Sequence, residues 1–147
     1  MKSTAYFISD VHLGVDFKEF NQREGELFNF LRTIEKSASH IFIIGDLFDF
    51  WIEYKNAIRP DYFLILYEFR RLIENGVEIH YLAGNHDFAL GPFLENTIGM
   101  KIYSGHLDIT LQNLKLHMYH GDGIIKSDWI YRLLKSILRN PINQYLY

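Results

Sequence analysis

The chain has no cysteine, only three prolines, and no long run of apolar residues. The absence of cysteine excludes a disulfide framework, a zinc knuckle, an iron–sulfur cluster and a thiol nucleophile. The longest apolar stretch falls far short of the roughly 20 residues that a transmembrane helix needs. Near the amino terminus Asp10 and His12 interrupt the apolar run, which is too short for a signal peptide, so a cytoplasmic protein is predicted. Any metal must be held by His, Asp, Glu, Asn or carbonyl oxygen.

Neither sign of charge is in large excess. Fifteen Lys and Arg face eighteen Asp and Glu, giving a formal charge of −3, which argues against a strong nucleic-acid footprint or a polybasic membrane anchor. By contrast, 48% of the 147 residues are apolar, including 12 Phe, 10 Tyr and 2 Trp. A chain of this length and composition can bury a sizeable core and is expected to fold as one domain.

Short apolar runs alternate with helical patterns over the first two thirds of the chain. The predicted buried strands are Tyr6–Ser9, His40–Ile44, Val77–Leu82 and Leu114–Tyr119. One helix is predicted within Glu19–Lys36, and a second begins at Pro60-Asp61 and ends at Asn75-Gly76. This βαβαβ order predicts an α/β fold with a mainly parallel sheet.

The pattern changes after Gly91-Pro92. Met100–Tyr103 and His106–Leu111 are predicted strands, and Gln112-Asn113 is a predicted turn into the strand at Leu114. This portion is expected to be antiparallel. An amphipathic segment, Ser127–Leu138, predicts a last helix.

Four polar clusters follow the predicted strands. They are Asp10-Val11-His12, Gly45-Asp46 with Asp49, Gly84-Asn85-His86-Asp87, and His120-Gly121-Asp122. Because ligands of open α/β sheets bind at the carboxyl ends of strands, these clusters are expected to share one crevice. Each cluster alone also has a structural interpretation as a turn or an ordinary strand end.

The residue types suit a metal ion. Asp10 and His12 are two apart, so an extended backbone would direct both side chains to one face. Asp46 follows a fully apolar strand, and a buried carboxylate there needs a cation or an arginine as its partner. Asn85 offers a neutral oxygen, and His120 offers an imidazole of the kind that binds Mn, Fe, Co or Zn. Together the clusters predict a metal site.

The four clusters match the DxH, GDxxD, GNHD and His-Gly motifs, so the sequence resembles the calcineurin-like metallophosphoesterases over essentially the whole chain. The resemblance implies an αββα sandwich of layers with mixed sheets and a site for two divalent ions. By that resemblance Asp10 and His12 bind the first metal, Asp46 bridges both, and Asn85 and His120 bind the second. His86 would be the catalytic histidine, with Asp49 orienting it or stabilising its charge. Mn is the metal that the family implies, with Fe, Co or Zn left open.

Within that superfamily the blocks that contain these motifs look most like those of the UDP-2,3-diacylglucosamine hydrolases, many of which have Arg where this chain has His86. The likeness implies hydrolysis of a lipid-linked nucleotide, UDP-2,3-diacylglucosamine, to UMP and the lipid monophosphate lipid X. It also implies lipid A synthesis and a peripheral position on the inner face of the cytoplasmic membrane. A nucleotide phosphodiesterase, a phosphoprotein phosphatase and a non-catalytic interaction protein on the same fold remain alternatives.

The last family motif, GHxH, is absent. The nearest string, Gly105-His106-Leu107-Asp108, precedes His120 and ends in Asp, so His106 is interpreted as a surface or strand histidine. The expectation is that the chain is the N-terminal part of a longer enzyme, with residues 1–126 in the phosphoesterase core and residues 127–147 beginning a helical lid. On its own it should be inactive or severely impaired, bind metals weakly and tend to self-associate.

The remaining histidines and aromatics have simpler interpretations. His40, His80 and His117 are predicted to be solvent-facing or satisfied strand residues. A set of aromatics beside Asp49 could contact a lipid chain or pack in the core, with about equal weight: Phe48, Phe50 and Trp51.

Overall fold

The computed structural model of the protein describes residues 2–14, 17–54 and 57–121. In chain order the elements are β1 (Thr4–Ile8), α1 (Phe17–Ile34), β2 (Ala38–Ile44), β3 (Trp51–Ile52), a 3₁₀ turn (Pro60–Tyr62), α2 (Phe63–Glu74), β4 (Glu78–Leu82), β5 (Asp87–Ala89), a π-helical turn (Phe93–Ile98), β6 (Lys101–Tyr103), β7 (Leu107–Leu111) and β8 (Leu114–Met118). The predicted helix Ser127–Leu138, the lid assigned to residues 127–147 and Asp122 lie outside the described residues.

A parallel sheet forms the centre of the fold. Its strand order is β1-β2-β4-β6, and every neighbouring pair is parallel. β2 reads as a continuous apolar run because both of its faces are covered, and Ile41, Phe42 and Ile43 are fully buried. α1 and α2 pack on one face of the sheet, where Leu31 and Phe69 meet the strand residues of the main core. The predicted βαβαβ order is confirmed.

A β-hairpin covers part of the opposite face. β7 and β8 are antiparallel, and their Leu107 and Met118 pack on Phe42 and Leu82 of the central sheet. The predicted turn joins them: Gln112 and Asn113 have φ of 52° and 66°, the left-handed conformation that a two-residue hairpin turn requires. The described residues therefore form layers of helices, parallel sheet and hairpin, in agreement with the α/β layered fold that the sequence predicts.

The end of α2 is also as predicted. The backbone N–H of Asn75 donates to the carbonyl of Arg71, and the backbone N–H of Gly76 donates to the carbonyl of Ile73. Gly76 adopts a φ of 82°. A left-handed glycine at this place ends the helix and turns the chain into β4. Among the described residues no helix is long and apolar enough to cross a membrane.

The antiparallel prediction is wrong for β6. This strand runs parallel to β4, with Tyr81 opposite Ile102. The π-helical turn Phe93–Ile98, which the sequence analysis did not identify, acts as a short crossover that returns the chain to the amino end of the sheet. The carboxylate of Glu53 anchors the turn by accepting hydrogen bonds from the backbone N–H of Gly91, just before it, and of Phe93, its first residue. The short parallel pair β3–β5 was also not predicted, because two or three residues carry too little periodicity.

Candidate metal centre

The predicted site residues converge at the carboxyl end of the central sheet. Asp10 follows β1, Asp46 follows β2, and Asn85 follows β4. His120 comes two residues after β8, whose hairpin lies across the same sheet. Four segments distant in sequence thus deliver oxygen and imidazole ligands to one place, as the strand-end argument predicts.

The backbone of these loops is strained where ligands are placed. Asp10, His12 and Asp46 have φ of 54°, 49° and 55°, the left-handed region that non-glycine residues seldom occupy. The expectation of an extended Asp10-Val11-His12 segment is therefore wrong, although the two side chains still approach each other. The loops are held by strand-like backbone bonds, including His12 N–H to the Asp46 carbonyl at 3.0 Å. Strain of this kind is characteristic of sites where side-chain position matters more than local stability.

Asp46 occupies the centre of the cluster. The side chain is 2% exposed, and its Oδ1 accepts a 2.9 Å hydrogen bond from the backbone N–H of His86. Its other oxygen, Oδ2, lies 3.9 Å from His12 Nε2 and 3.3 Å from His120 Nε2. One carboxylate oxygen therefore faces an imidazole on each side, which is the placement required of a bridging ligand.

The His120 ring is fixed so that one nitrogen faces oxygen atoms. Nδ1–H donates to the carbonyl of Ile44 at 2.8 Å, so the neutral ring carries its lone pair on Nε2. That nitrogen lies 3.1 Å from Asn85 Oδ1 and 3.3 Å from Asp46 Oδ2. The His120 nitrogen, the Asn85 amide oxygen and the Asp46 carboxylate oxygen are therefore placed to bind one cation together. An imidazole held through its other N–H by a backbone carbonyl is typical of a metal ligand.

A second set of ligands adjoins the first. His12 Nε2 is 3.8 Å from Asp10 Oδ1, and potential ligand atoms lie within 4.8 Å of one another in two groups that share Asp46: one adds Asp10 and His120, the other His12 and His86. Carboxylate, amide and imidazole donors in this mixture suit Mn²⁺, Fe²⁺, Co²⁺ or Zn²⁺ better than Ca²⁺. The residues present therefore fit divalent ions on both sides of Asp46.

His86 lies at the rim of the cluster, its side chain 36% exposed. Its Nδ1 makes a short contact with the main-chain carbonyl of Asp49, and the Asp49 carboxylate is 3.4 Å from the same nitrogen. Asp49 Oδ1 also lies 3.8 Å from His12 Nδ1, and the His12 and His86 rings meet edge to face at 4.7 Å. Asp49 is thus placed to orient His86 through its backbone as well as its side chain.

Asp87 supports the whole arrangement, although the sequence analysis gave it no role of its own. The carboxylate is fully buried and accepts hydrogen bonds from Tyr81 Oη at 2.5 Å, from Gly84 N–H at 2.9 Å and from Asp46 N–H at 2.9 Å. Burial raises the pKa of the Asp87 carboxyl, and these three donors oppose the rise. The position of Asp87 in the GNHD motif was the sequence signal for a role in the site. The sequence does not reveal that Asp87 holds the Asp46 loop against the Asn85 loop.

Glycine is required at position 84 by the closeness of these loops. A Cβ there would collide with the Asp46 carboxylate and would lie 2.8 Å from the Asp46 backbone nitrogen. Gly84→Ala is therefore expected to displace the central ligand and reduce metal content and phosphoesterase activity of the intact protein by at least about tenfold. Gly105→Ala is the matched control, since nothing lies within 4 Å of its Cβ position. Unchanged metal binding in Gly84→Ala would contradict this account of the site.

Other predicted residues lie apart from the cluster or in the core. Phe48 and Trp51 are buried and pack on Tyr62, whereas Phe50 is 42% exposed and contacts Phe88. The open choice between lipid contact and core packing is thus resolved towards packing for Phe48 and Trp51. His106 is exposed on the hairpin, as predicted.

Comparison with known proteins supports the same assignment. The sequence profile of the calcineurin-like phosphoesterase family matches residues 3–142. A UDP-2,3-diacylglucosamine hydrolase of Porphyromonas gingivalis is 33% identical over 153 aligned positions, covering 100% of this chain and 57% of the relative. A UDP-2,3-diacylglucosamine hydrolase of Nitrosococcus oceani is 35% identical over 136 positions, covering 92% of this chain and 53% of the relative.

The chain spans a little over half the length of these curated relatives. A solved structure from Aquifex aeolicus, of a protein of unknown function, aligns with 94% of this chain and 71% of that chain at 17% identity and a TM-score of 0.45, too distant to add to the assignment. The family profile covers nearly all of the chain, and its characteristic ligands meet at one end of the sheet. The chain belongs to the calcineurin-like phosphoesterase family.

Proposed function

We propose that this chain carries metal ligands of a hydrolase that cleaves the pyrophosphate bond of UDP-2,3-diacylglucosamine, releasing UMP and lipid X. The observation that carries the proposal is the position of Asp46 Oδ2 between His12 Nε2 and His120 Nε2. The substrate is suggested by the names of the relatives, which are hydrolases of that compound. Such a reaction would place the protein at the inner face of the cytoplasmic membrane, where lipid A synthesis begins.

The ligands divide into two sets that share Asp46. Asp10 and His12 would hold one ion, and Asn85 and His120 would hold the other, with Mn²⁺ as the proposed metal. When bound, a pair of divalent ions neutralises charge on phosphoryl oxygens and lowers the pKa of a coordinated water. The protein contributes the fixed geometry: the His120 tautomer is set by the Ile44 carbonyl, and Asp46 is held by the backbone of His86.

His86 is the proposed general acid. With Nδ1 against the Asp49 carbonyl, its Nε2 is the nitrogen left to face a substrate. A proton on Nε2 can be donated to a phosphoryl or leaving-group oxygen, and the Asp49 carboxylate, 3.4 Å from Nδ1, helps to orient the ring.

Substrate profiling tests the proposed reaction. The intact protein, supplied with Mn²⁺, is expected to release UMP from UDP-2,3-diacylglucosamine in preference to cleaving a cyclic nucleotide, a chromogenic phosphodiester or a phosphopeptide. If the protein instead prefers a nucleotide diester or a phosphopeptide, the proposed substrate is wrong, whereas the assignment of the metal centre stands. Metal binding without turnover of any of them would favour a non-catalytic protein on this fold.

Removing the proton donor should separate catalysis from metal binding. His86→Gln is expected to lower kcat by about 10²- to 10⁴-fold, the usual contribution of a general acid, with metal content unchanged. His106→Gln, on the exposed hairpin, is the matched control. Asp49→Asn should have a smaller effect because its main-chain carbonyl still holds His86 Nδ1. Full activity of His86→Gln, or loss of its metals, would contradict the assigned role.

A further inference from the structure

A second group of potential metal ligands lies at the opposite, amino-terminal end of the central sheet. His40 is the third residue of β2, and Glu78 and His80 are the first and third residues of β4. Residues two apart on a strand project from the same face, and His40 is in register with Glu78 across the parallel pair. Four residues of β2 separate His40 from its carboxyl end, a distance of about 13 Å, so this group is separate from the catalytic cluster.

His80 has a nitrogen that nothing satisfies among the described residues. The residue is only 2% exposed, and its Nε2 is buried without a hydrogen-bond partner there. Glu78 Oε2 lies 3.7 Å from this nitrogen, which is too long for a hydrogen bond. A buried polar atom left unpaired destabilises the fold, so this nitrogen is a candidate ligand atom. The sequence expectation that His80 is a satisfied strand histidine is therefore wrong at Nε2.

The ring is also held in the way that metal-binding imidazoles usually are. His80 Nδ1 and the Tyr103 hydroxyl share a 3.0 Å hydrogen bond, and the ring stacks on Phe42 at 4.7 Å. When Nδ1–H donates to Tyr103, the lone pair is on Nε2 and points towards Glu78. Burial lowers the pKa of His80 to about 4, so the ring is neutral near pH 7 and no proton has to leave before a metal binds.

The other two ligands are exposed enough to reorient. His40, Glu78 and His80 each have a potential ligand atom within 4.8 Å of the others. A tetrahedral zinc ion needs ligand atoms about 3.4 Å apart, given metal–nitrogen bonds of about 2.1 Å. Glu78 is half exposed and His40 only partly buried, so small rotations can close the difference while His80 stays fixed.

From this geometry we propose that His40, Glu78 and His80 form a metal site, separate from the catalytic centre, for a borderline divalent ion such as Zn²⁺. Two imidazoles and one carboxylate, with water in the fourth position, are a donor set that Zn²⁺ accepts readily. The ion would join β2 to β4 at the amino end of the sheet and stabilise that pairing. It would have no part in the phosphoesterase reaction.

Lys101 is expected to lower the affinity of the site for a metal ion. Its ammonium contacts Glu78 Oε2 and therefore competes with a cation for that carboxylate. The side chain is 54% exposed and can turn into solvent when an ion binds. Lys101→Gln should accordingly tighten Zn²⁺ binding by about tenfold, a direction opposite to that of any ligand substitution.

The test is a zinc titration of the intact protein in the absence of Mn²⁺, whose paramagnetism would broaden the signals, followed by the NMR signals of the histidine ring nitrogens. The ring signals of His40 and His80 are expected to shift together, with half-saturation below about 100 µM, and Glu78→Gln should weaken that response at least tenfold. His106→Asn is the control, because it removes a ring from the exposed His106–His117 pair and should leave the response unchanged.

Each alternative outcome is distinct. If only His12, His86 and His120 respond, zinc binds at the catalytic centre alone and the proposal is wrong. It is also wrong if His40 and His80 respond only at millimolar zinc, or if His80 Nε2 is found bonded to another part of the intact protein. Phosphoesterase activity of Glu78→Gln gives an independent check, since it should equal that of the unmodified protein whether or not the proposed reaction is correct.

Discussion

Asp46→Asn is expected to reduce metal-dependent phosphoesterase activity of the intact protein by at least about 100-fold, the upper range seen when only a residue behind a metal ligand is lost. The substitution is nearly isosteric. Its carbonyl oxygen can keep the hydrogen bond from the His86 backbone, which Asp46 Oδ1 accepts now. Its amide nitrogen would replace Oδ2, the atom that faces both His12 and His120. The anionic oxygen shared by the two sides is lost while the local fold is retained.

Measurement of bound metal alongside turnover makes this test specific. Asp46→Asn should retain fewer equivalents of Mn²⁺ after gel filtration, and Asp108→Asn should behave like the unmodified protein. Asp108 is a suitable match because it is an exposed carboxylate on the hairpin that pairs with the surface histidines His106 and His117. If Asp46→Asn keeps normal metal content and normal hydrolysis, the bridging role is wrong.

The sequence predicts the position of the site better than its local geometry. Asp10, Asp46 and Asn85 each follow a strand of a parallel sheet, so their meeting is a consequence of topology that strand patterns reveal. The direction of the Asp10 and His12 side chains could not be predicted in the same way. It depends on left-handed backbone angles that are imposed by bonds to the Asp46 loop, and those bonds form only in the folded chain.

The same limit explains the error at β6. A short strand can be recognised from its apolar residues, but its direction depends on the connection that precedes it. The π-helical turn Phe93–Ile98 is only six residues long and is stabilised by the carboxylate of Glu53, about 40 positions earlier in the chain. No local pattern encodes that contact. His80 is a further case, because its buried nitrogen becomes unusual only once Phe42 and Tyr103 enclose the ring.

Asp87→Ala is expected to cost about 3 kcal/mol or more of the free energy of unfolding, because it removes a buried acceptor that serves three donors. Three donors would lose their acceptor at once: the Tyr81 hydroxyl and the backbone N–H groups of Gly84 and Asp46. Each buried donor left without an acceptor destabilises the fold by about 1 to 3 kcal/mol. The three donors act as one network, so these costs do not simply add.

Urea unfolding of the intact protein in the presence of a chelator measures this cost without the contribution of bound metal. Asp87→Asn should lie between Asp87→Ala and the unmodified protein, because it keeps one acceptor oxygen and the side-chain volume. Asp108→Ala should change stability by less than about 0.5 kcal/mol, as expected for a surface carboxylate. Since the Asp46 backbone depends on Asp87, the protein that remains folded in Asp87→Ala should also bind Mn²⁺ more weakly. Stability equal to that of Asp108→Ala would show that Asp87 does not hold the two ligand loops together.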